Sequence, residues 1–167
     1  KIAVLASGGG TNLQAIIDEM EAGRLDCSIE VVITDSPSAV ALERAKKHSI
    51  PTAVVEKSAH PKRKEFDREL VRVLNGHGVE VVVLAGFMRL LISVMLEAFP
   101  MKILNIHPSL LPSFPGLNVQ QQAIEHGVKF SGCTVHFVDE GLDSGPIILQ
   151  ASVPVLDTDT PESLAAR

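Results

Sequence analysis

Three side chains in the second half of the sequence could together move a proton and hold a negatively charged oxygen. Asn105 and His107 lie two residues apart at the end of an apolar stretch, and Asp143 follows in a later glycine-bounded loop. Residues two apart in a strand point to the same side, so we expect the amide and the imidazole to project together. A carboxylate that reaches the imidazole would stabilise its protonated form, an acid usable near neutral pH. With an amide donor beside it, this set predicts acyl transfer to a nitrogen atom.

The same residues allow other interpretations. Asn105 could be a loop cap and His107 a hydrogen-bonded core histidine. A metal site of two histidines and one carboxylate could form from His107, His136 and Asp143, but no spacing requires it and Asn105 would have no role, so we predict no metal. A covalent nucleophile is not indicated, because Gly-x-Ser-x-Gly is absent and Cys133 lies on a predicted strand, where packing is favoured.

The pattern of apolar runs predicts an α/β fold with a mostly parallel, twisted sheet flanked by helices, its late strands partly antiparallel. Predicted strands cover Ile2–Ala6, Ser28–Thr34, Pro51–Val55, Val79–Ala85, Met101–Ile106, Gly132–Val138 and Pro146–Val153. Predicted helices follow the first glycine-rich turn and cover Ala39–His48, Ala59–Gly76 and Val119–His126, with a last one opening near Asp157 that has Thr160 as its cap and Pro161 at its first position. Ligands of open α/β sheets bind beyond the carboxyl ends of the strands, where the polar residues above lie.

A glycine-rich turn, residues 7–12, follows the first predicted strand. Its glycines let backbone N–H groups approach a ligand, and Thr11 or Asn12 could cap the helix behind it. A helix N-terminus carries partial positive charge, so the turn predicts a phosphate site. A nicotinamide dinucleotide fits less well, because Leu13 occupies the position of the third glycine in the Gly-x-Gly-x-x-Gly motif of dinucleotide-binding proteins.

Composition and charge restrict the class of protein that the sequence can encode and the partners that it can bind. The 167 residues are 46% hydrophobic and 21% charged, which is typical of one globular domain. A net charge of −5 argues against nucleic acid and anionic membranes as partners. No apolar run approaches the roughly 20 residues that span a bilayer, and the two cysteines, Cys27 and Cys133, fit a reducing cytoplasm. The chain starts without Met and ends inside a predicted helix, so we expect it to be truncated at its C-terminal end.

Five motifs in chain order are specific in combination. They are Ser7–Ala15, Asp67–Leu70, Val81–Arg89, Asn105–Gly116 and Asp143–Ile148. The set resembles the folate-dependent phosphoribosylglycinamide formyltransferase family over essentially the whole chain. This resemblance implies a single-domain, Rossmann-like formyltransferase fold over residues 1–167. It also implies transfer of a formyl group from the co-substrate 10-formyltetrahydrofolate to the glycyl amine of glycinamide ribonucleotide, in purine biosynthesis.

The resemblance also assigns roles to residues. Asn105, His107 and Asp143 would be the catalytic trio. Thr134 and His136 are two residues apart on a predicted strand and so point to one face, from which either could support that trio. The substrate phosphate would lie on Gly9, Gly10, Thr11 and Asn12. The folate would contact Arg63, Met88, Arg89, Leu90 and Leu91, together with Val138, Asp139, Glu140, Gly141 and Leu142. The partners would be the two small substrates only, with no nucleic acid, no membrane, and a monomer or homodimer as the assembly.

Other functions stay open. A 10-formyltetrahydrofolate hydrolase would share the folate site but carry an extra regulatory domain, for which the start of the chain leaves no room. A methionyl-tRNA formyltransferase would carry a further C-terminal domain, and the glycine-rich turn favours a small phosphorylated acceptor. A non-catalytic folate- or nucleotide-binding module belongs to a different class. The family continues beyond Arg167 into a helix that contributes to the substrate pocket.

Overall fold

The computed structural model describes all 167 residues and confirms the alternation of strands and helices. The elements are β1 (Ile2–Leu5), α1 (Thr11–Glu21), β2 (Ile29–Thr34), α2 (Val40–Lys47), β3 (Thr52–Val54), α3 (Arg63–Gly76), β4 (Val81–Leu84), α4 (Ser93–Ala98), β5 (Ile103–His107), α5 (Val119–Glu125), β6 (Phe130–Phe137), β7 (Ile147–Pro154) and α6 (Pro161–Ala165). The strand order in the sheet is β3-β2-β1-β4-β5-β6-β7. β1 pairs in parallel with β2 and β4, β2 pairs in parallel with β3, and β6 pairs antiparallel with β7. The predicted fold class is therefore confirmed.

Contacts divide the chain into two compact units, residues 1–104 and 105–167, with the boundary inside β5. The expectation of one domain over residues 1–167 stays a prediction.

The first unit is built around β1, whose residues Ala3, Val4 and Leu5 are fully buried between two parallel neighbours. α1 packs Leu13 and Ile17 into this core, four residues apart on one helix face. α2 contributes only small side chains, Ala41 and Ala45, to the same cluster. Small residues on α2 let its backbone lie close to the segment that joins β1 to α1.

Two helices of the first unit differ from their prediction. α3 begins at Arg63, not Ala59, because residues 56–60 form turns closed by bonds from Ala59 N to Glu56 O and from His60 N to Lys57 O. Pro61 then offers no donor. α4 was not predicted at all. It is six residues long and has no side-chain cap of its own, so no local pattern marks it.

The second unit contains the end of β5, the hairpin of β6 and β7, and two short helices. β6 buries Ser131, Thr134 and His136, an unusually polar set for a strand, whereas most of β7 is exposed. α6 begins as predicted, with Thr160 as the N-cap in a reciprocal pair with Ser163 and with Pro161 at the first helical position. None of the helices is both long and apolar enough to span a membrane.

Candidate functional site

His107 ends β5 and is buried, with both of its ring nitrogens facing acceptors. Nε2 donates to the backbone oxygen of Phe114 at 2.9 Å, and Nδ1 lies 3.4 Å from Asp143 Oδ2. A carbonyl oxygen can only accept a hydrogen bond, so Nε2 carries a proton. If Nδ1 were bare, its lone pair would face a carboxylate. An imidazolium, protonated on both nitrogens, is the form that matches both neighbours.

Asp143 is held in place by more than His107. Its Oδ2 also accepts a hydrogen bond from Gly116 N at 2.9 Å, and its Oδ1 lies 3.8 Å from His136 Nε2. The residue has a φ of 51°, in the left-handed region. Two residues later, a Cβ placed on Gly145 would lie 1.8 Å from Phe137 O, so only glycine lets this loop come so close to the end of β6. The loop therefore presents its carboxylate in one position.

Asn105 contacts the same group through His136. Its Nδ2 lies 3.1 Å from His136 Nε2, and His136 Nδ1 donates to the backbone oxygen of Phe137 at 2.9 Å. That second bond places a proton on His136 Nδ1, and with the Asn105 amide as donor, His136 Nε2 is the acceptor. A continuous set of contacts thus runs from Asn105 through His136 and Asp143 to His107.

Thr134 is also buried, and it holds the proline-rich loop that follows β5. Its hydroxyl donates to Ser109 O at 2.7 Å and accepts from Leu111 N at 3.0 Å. Gln150, on β7, donates to both Thr134 Oγ1 and Leu111 O at 2.9 Å. Gln150 was not among the predicted site residues, and its only signal is its pairing opposite Thr134 in the hairpin register. Ser109 donates to Ser113 O.

In the first unit, the glycine-rich turn borders a cavity of about 250 Å³. The lining residues are Ser7, Gly8, Gly9, Gly10, Thr11, Asn12, Ala85, Gly86 and Met88. The N-cap of α1 is Gly10, with a φ of 68° and no side-chain bond, so the prediction that Thr11 or Asn12 caps the helix is wrong. Because Gly10 is the cap, in the left-handed conformation, the helix starts at Thr11, and Thr11 and Asn12 lie in its first turn. The first N–H groups of α1 lack helical partners, which suits an anion.

The segment after β4, residues 86–92, is attached at three points. Met88 N donates to Ser7 Oγ at 2.9 Å, Arg89 Nε donates to buried Asp35 at 2.6 Å, and Ile92 N donates to Asp67 Oδ2 at 2.8 Å. The four residues expected to contact folate here differ in their surroundings. Met88 and Leu90 are exposed, Leu91 is buried, and the Arg89 guanidinium is engaged by Asp35. The segment is thus a fixed backbone with two exposed apolar side chains.

The thermal stability of the protein should depend on pH because of Asp67. Burial raises the pKa of this carboxyl above its ordinary value, while the Ile92 N–H and the charge of Arg63 act in the opposite direction. The contribution of the Asp67 carboxyl to the free energy of unfolding is therefore fully present at pH values below its unfolded-state pKa. It is lost as pH rises through the folded-state pKa. Asp67→Asn keeps an oxygen for Ile92 N but carries no charge. We expect its melting temperature to equal or exceed that of the parent at neutral pH and to lose this advantage near about pH 4.

Thermal unfolding followed between about pH 4 and about pH 8 tests this expectation. Asp67→Ala is the matched control, because it removes the acceptor of the Ile92 N–H and should cost about 1 kcal/mol or more at every pH. A parallel pH dependence for the parent and Asp67→Asn would contradict the assignment.

The other residues expected to contact folate lie at two places. Arg63 is exposed at the first residue of α3. In the second unit, Asp139 Oδ1 accepts from Gly141 N and Ser144 Oγ, which closes a tight turn after Val138. Within that turn Glu140 and Leu142 are exposed. The turn leads directly into Asp143.

The structure contains no group of three or more His, Cys, Asp or Glu side chains placed to hold a metal ion. His107 and His136 both lie near Asp143, with N···O distances of 3.4 and 3.8 Å. The Nε2 proton of His107 and the Nδ1 proton of His136 are each directed at a backbone oxygen.

The chain is similar over its whole length to known proteins of one family. Residues 1–167 match the family described as formyl transferase. The chain is 42% identical to phosphoribosylglycinamide formyltransferase of Bacillus subtilis, covering 100% of this chain and 86% of that protein. It is 46% identical to the trifunctional purine biosynthetic protein adenosine-3 of Drosophila melanogaster, of which it spans only 12%. A crystal structure of glycinamide ribonucleotide transformylase 1 from Symbiobacterium toebii superimposes with a TM-score of 0.97 at 55% identity, over 99% of this chain and 78% of that one.

Proposed function

Because the chain belongs to the formyl transferase family, we propose that it transfers the formyl group of 10-formyltetrahydrofolate to the glycyl amine of glycinamide ribonucleotide, a reaction of purine biosynthesis. The names of its relatives from Bacillus subtilis and Symbiobacterium toebii support this acceptor. One observation carries the proposal, the contact of an imidazole protonated at Nε2 with the carboxylate of Asp143. The imidazolium of that pair would supply a positive charge where an oxyanion forms.

The reaction needs no covalent intermediate on the protein. The lone pair of the glycyl amine attacks the formyl carbon, and the carbonyl π electrons move onto oxygen. The second Nδ2 hydrogen of Asn105 and the charge of His107 stabilise this oxyanion. A proton then passes from the new ammonium nitrogen, through water beside Asp143, to N10 of the folate. The oxyanion electrons re-form the carbonyl as the bond between carbon and N10 breaks, with its electron pair going to the protonated N10, which leaves formylated ribonucleotide and tetrahydrofolate.

The supporting residues act on orientation. His136 fixes the amide of Asn105 by accepting one of its two hydrogens, so the other has a defined direction. Thr134 holds the proline-rich loop through Ser109 and Leu111. Both are positioning residues in this proposal, because neither touches the reacting atoms.

The two substrates would bind through different kinds of contact. The turn at Gly9, Gly10, Thr11 and Asn12 would hold the ribonucleotide phosphate through backbone N–H groups and the N-terminus of α1. The folate would use the exposed apolar side chains of Met88 and Leu90 and the backbone around Arg89 and Leu91. Its acidic tail would pair with Arg63, and the turn of residues 138–142 would contact its ring.

The test follows the ultraviolet absorbance of a 10-formyl folate during turnover. We expect formyl loss that requires glycinamide ribonucleotide and that falls about 10²–10⁴-fold in His107→Ala, because the charged acid is gone. Loss of the formyl group to water alone would favour the hydrolase. Binding of both ligands without turnover, unchanged by His107→Ala, would favour a non-catalytic binding module.

Two wider features belong to the same proposal. Purine biosynthesis and the absence of a disulfide between the free thiols of Cys27 and Cys133 fit a cytoplasmic enzyme. The assembly would be a monomer or a homodimer, which light scattering of the purified protein distinguishes.

A further inference from the structure

Arg44, on α2, lies directly behind the glycine-rich turn. Its Nε donates to the backbone oxygen of Gly9 at 2.8 Å, and its Nη1 donates to Gln14 Oε1 on α1 at 3.2 Å. Gln14 is itself held by Asp18 and His48. The guanidinium is therefore fixed by the turn on one side and by α1 on the other.

α2 fixes the turn at two further points. Ala41 N donates to Gly8 O at 3.1 Å. A Cβ placed on Gly10 would lie 2.9 Å from the Cα and Cβ atoms of Ala41 and 3.3 Å from Cδ of Arg44. The turn thus packs on α2 so closely that a side chain at Gly10 would have no room.

These contacts decide which way the turn's amides point. In a trans peptide the C=O and the following N–H point in opposite directions. The oxygens of Gly8 and Gly9 are both bound to α2, so the N–H groups of Gly9 and Gly10 point away from α2. Both glycines line the 250 Å³ cavity. Successive amides that converge in this way form an anion-binding concavity.

The cavity lacks a positively charged side chain of its own. None of its nine lining residues is Lys or Arg. Arg44 does not line the cavity but binds the carbonyl of the peptide between Gly9 and Gly10. The N–H of that same peptide faces the cavity. The charge of Arg44 polarises that peptide and adds positive potential without contacting a ligand.

We propose that Arg44 is a positioning residue that selects for the phosphate of the acceptor substrate. It holds the carbonyl of Gly9 on α2, which keeps the Gly10 amide aimed at a phosphate, and it supplies the positive charge that the cavity lining lacks. This inference rests on the proposed function, in which the phosphate of glycinamide ribonucleotide lies at this turn. It adds that selection for the phosphate depends on a side chain of the second helix.

The test crosses two enzymes with two acceptors. Parent and Arg44→Ala are assayed with glycinamide ribonucleotide and with the nucleoside that lacks the phosphate. We expect Arg44→Ala to raise the KM for the ribonucleotide about tenfold or more, as for loss of a charged hydrogen bond. The kcat, the KM for the folate and the kcat/KM for the nucleoside should change less than about twofold, because these do not involve the phosphate.

Arg44→Lys keeps the charge and one donor, so we expect it to recover part of the lost affinity. Arg24→Ala is the matched control, because Arg24 forms an exposed pair with Glu19 on α1. It should leave all four parameters unchanged. Equal losses for both acceptors, or no rise in the ribonucleotide KM, would overturn the proposal.

Titration with inorganic phosphate, followed by amide NMR at Gly9 and Gly10, gives a readout that does not depend on turnover. Weaker binding in Arg44→Ala than in the parent is the expected result, and equal binding would overturn the proposal. If the parent does not formylate the ribonucleotide but still binds phosphate more tightly than Arg44→Ala does, the proposed function fails and the role of Arg44 stands.

Discussion

Replacing Asp143 with Asn is expected to lower kcat by about 10²–10³-fold while leaving the protein folded, because the charge of His107 that stabilises the oxyanion would lose the carboxylate that faces it. Asn keeps the shape of Asp143, and its amide oxygen at the Oδ2 position can still accept from the Gly116 N–H. His107 Nδ1 faces the same Oδ2 atom, so in the variant it faces an uncharged oxygen, while its Nε2–H stays on Phe114 O. Without the carboxylate, the neutral imidazole is favoured. The variant thus removes the positive charge without opening the site.

Steady-state kinetics with both substrates, together with thermal unfolding, tests this prediction. Asp157→Asn is the matched control, since Asp157 is exposed and pairs only with Lys129 at 3.3 Å. It should behave as the parent. An Asp143→Asn enzyme that keeps more than about a tenth of the parental kcat would show that charge on His107 is not needed.

The sheet and its helices could be predicted from the sequence because their signals are local. β1, for example, is an apolar run that leads into a glycine-rich turn, and α6 carries Thr160 and Pro161 at its start. The site residues at Asn105 and His107 also stood out, since polar residues at the end of an apolar strand are uncommon. Their spacing of two correctly placed both at the end of β5.

Contacts between distant residues could not be predicted. α4 begins where Asp67 takes the N–H of Ile92, a bond across 25 residues that leaves no trace in the local pattern. The cap of α1 was missed because Gly10 is fixed by its packing against Ala41, which the sequence near the turn does not reveal. Arg44 and Gln150 were missed for the same reason. Each acts through backbone oxygens of a segment far away in the sequence.

Asn105 offers the second large effect, and its contact with His136 allows a coupled test. Asn105→Ala removes the neutral donor to the oxyanion, so we expect kcat to fall about 10²–10³-fold. The same factor should appear in kcat/KM, because the interaction forms only in the transition state. Asn75→Ala, at an exposed position near the end of α3, is the matched control and should leave both parameters unchanged.

His136→Ala leaves Asn105 in place but removes the acceptor that orients its amide. We expect a smaller loss of kcat, about tenfold, because the donor is present but loosely directed. The double variant should be no slower than Asn105→Ala alone, since a missing amide cannot be misdirected. Rapid kinetics on the four proteins measures this coupling. Additive losses would show that His136 acts on the reaction through another partner, and Asp143, whose Oδ1 lies 3.8 Å from His136 Nε2, would be the first residue to examine.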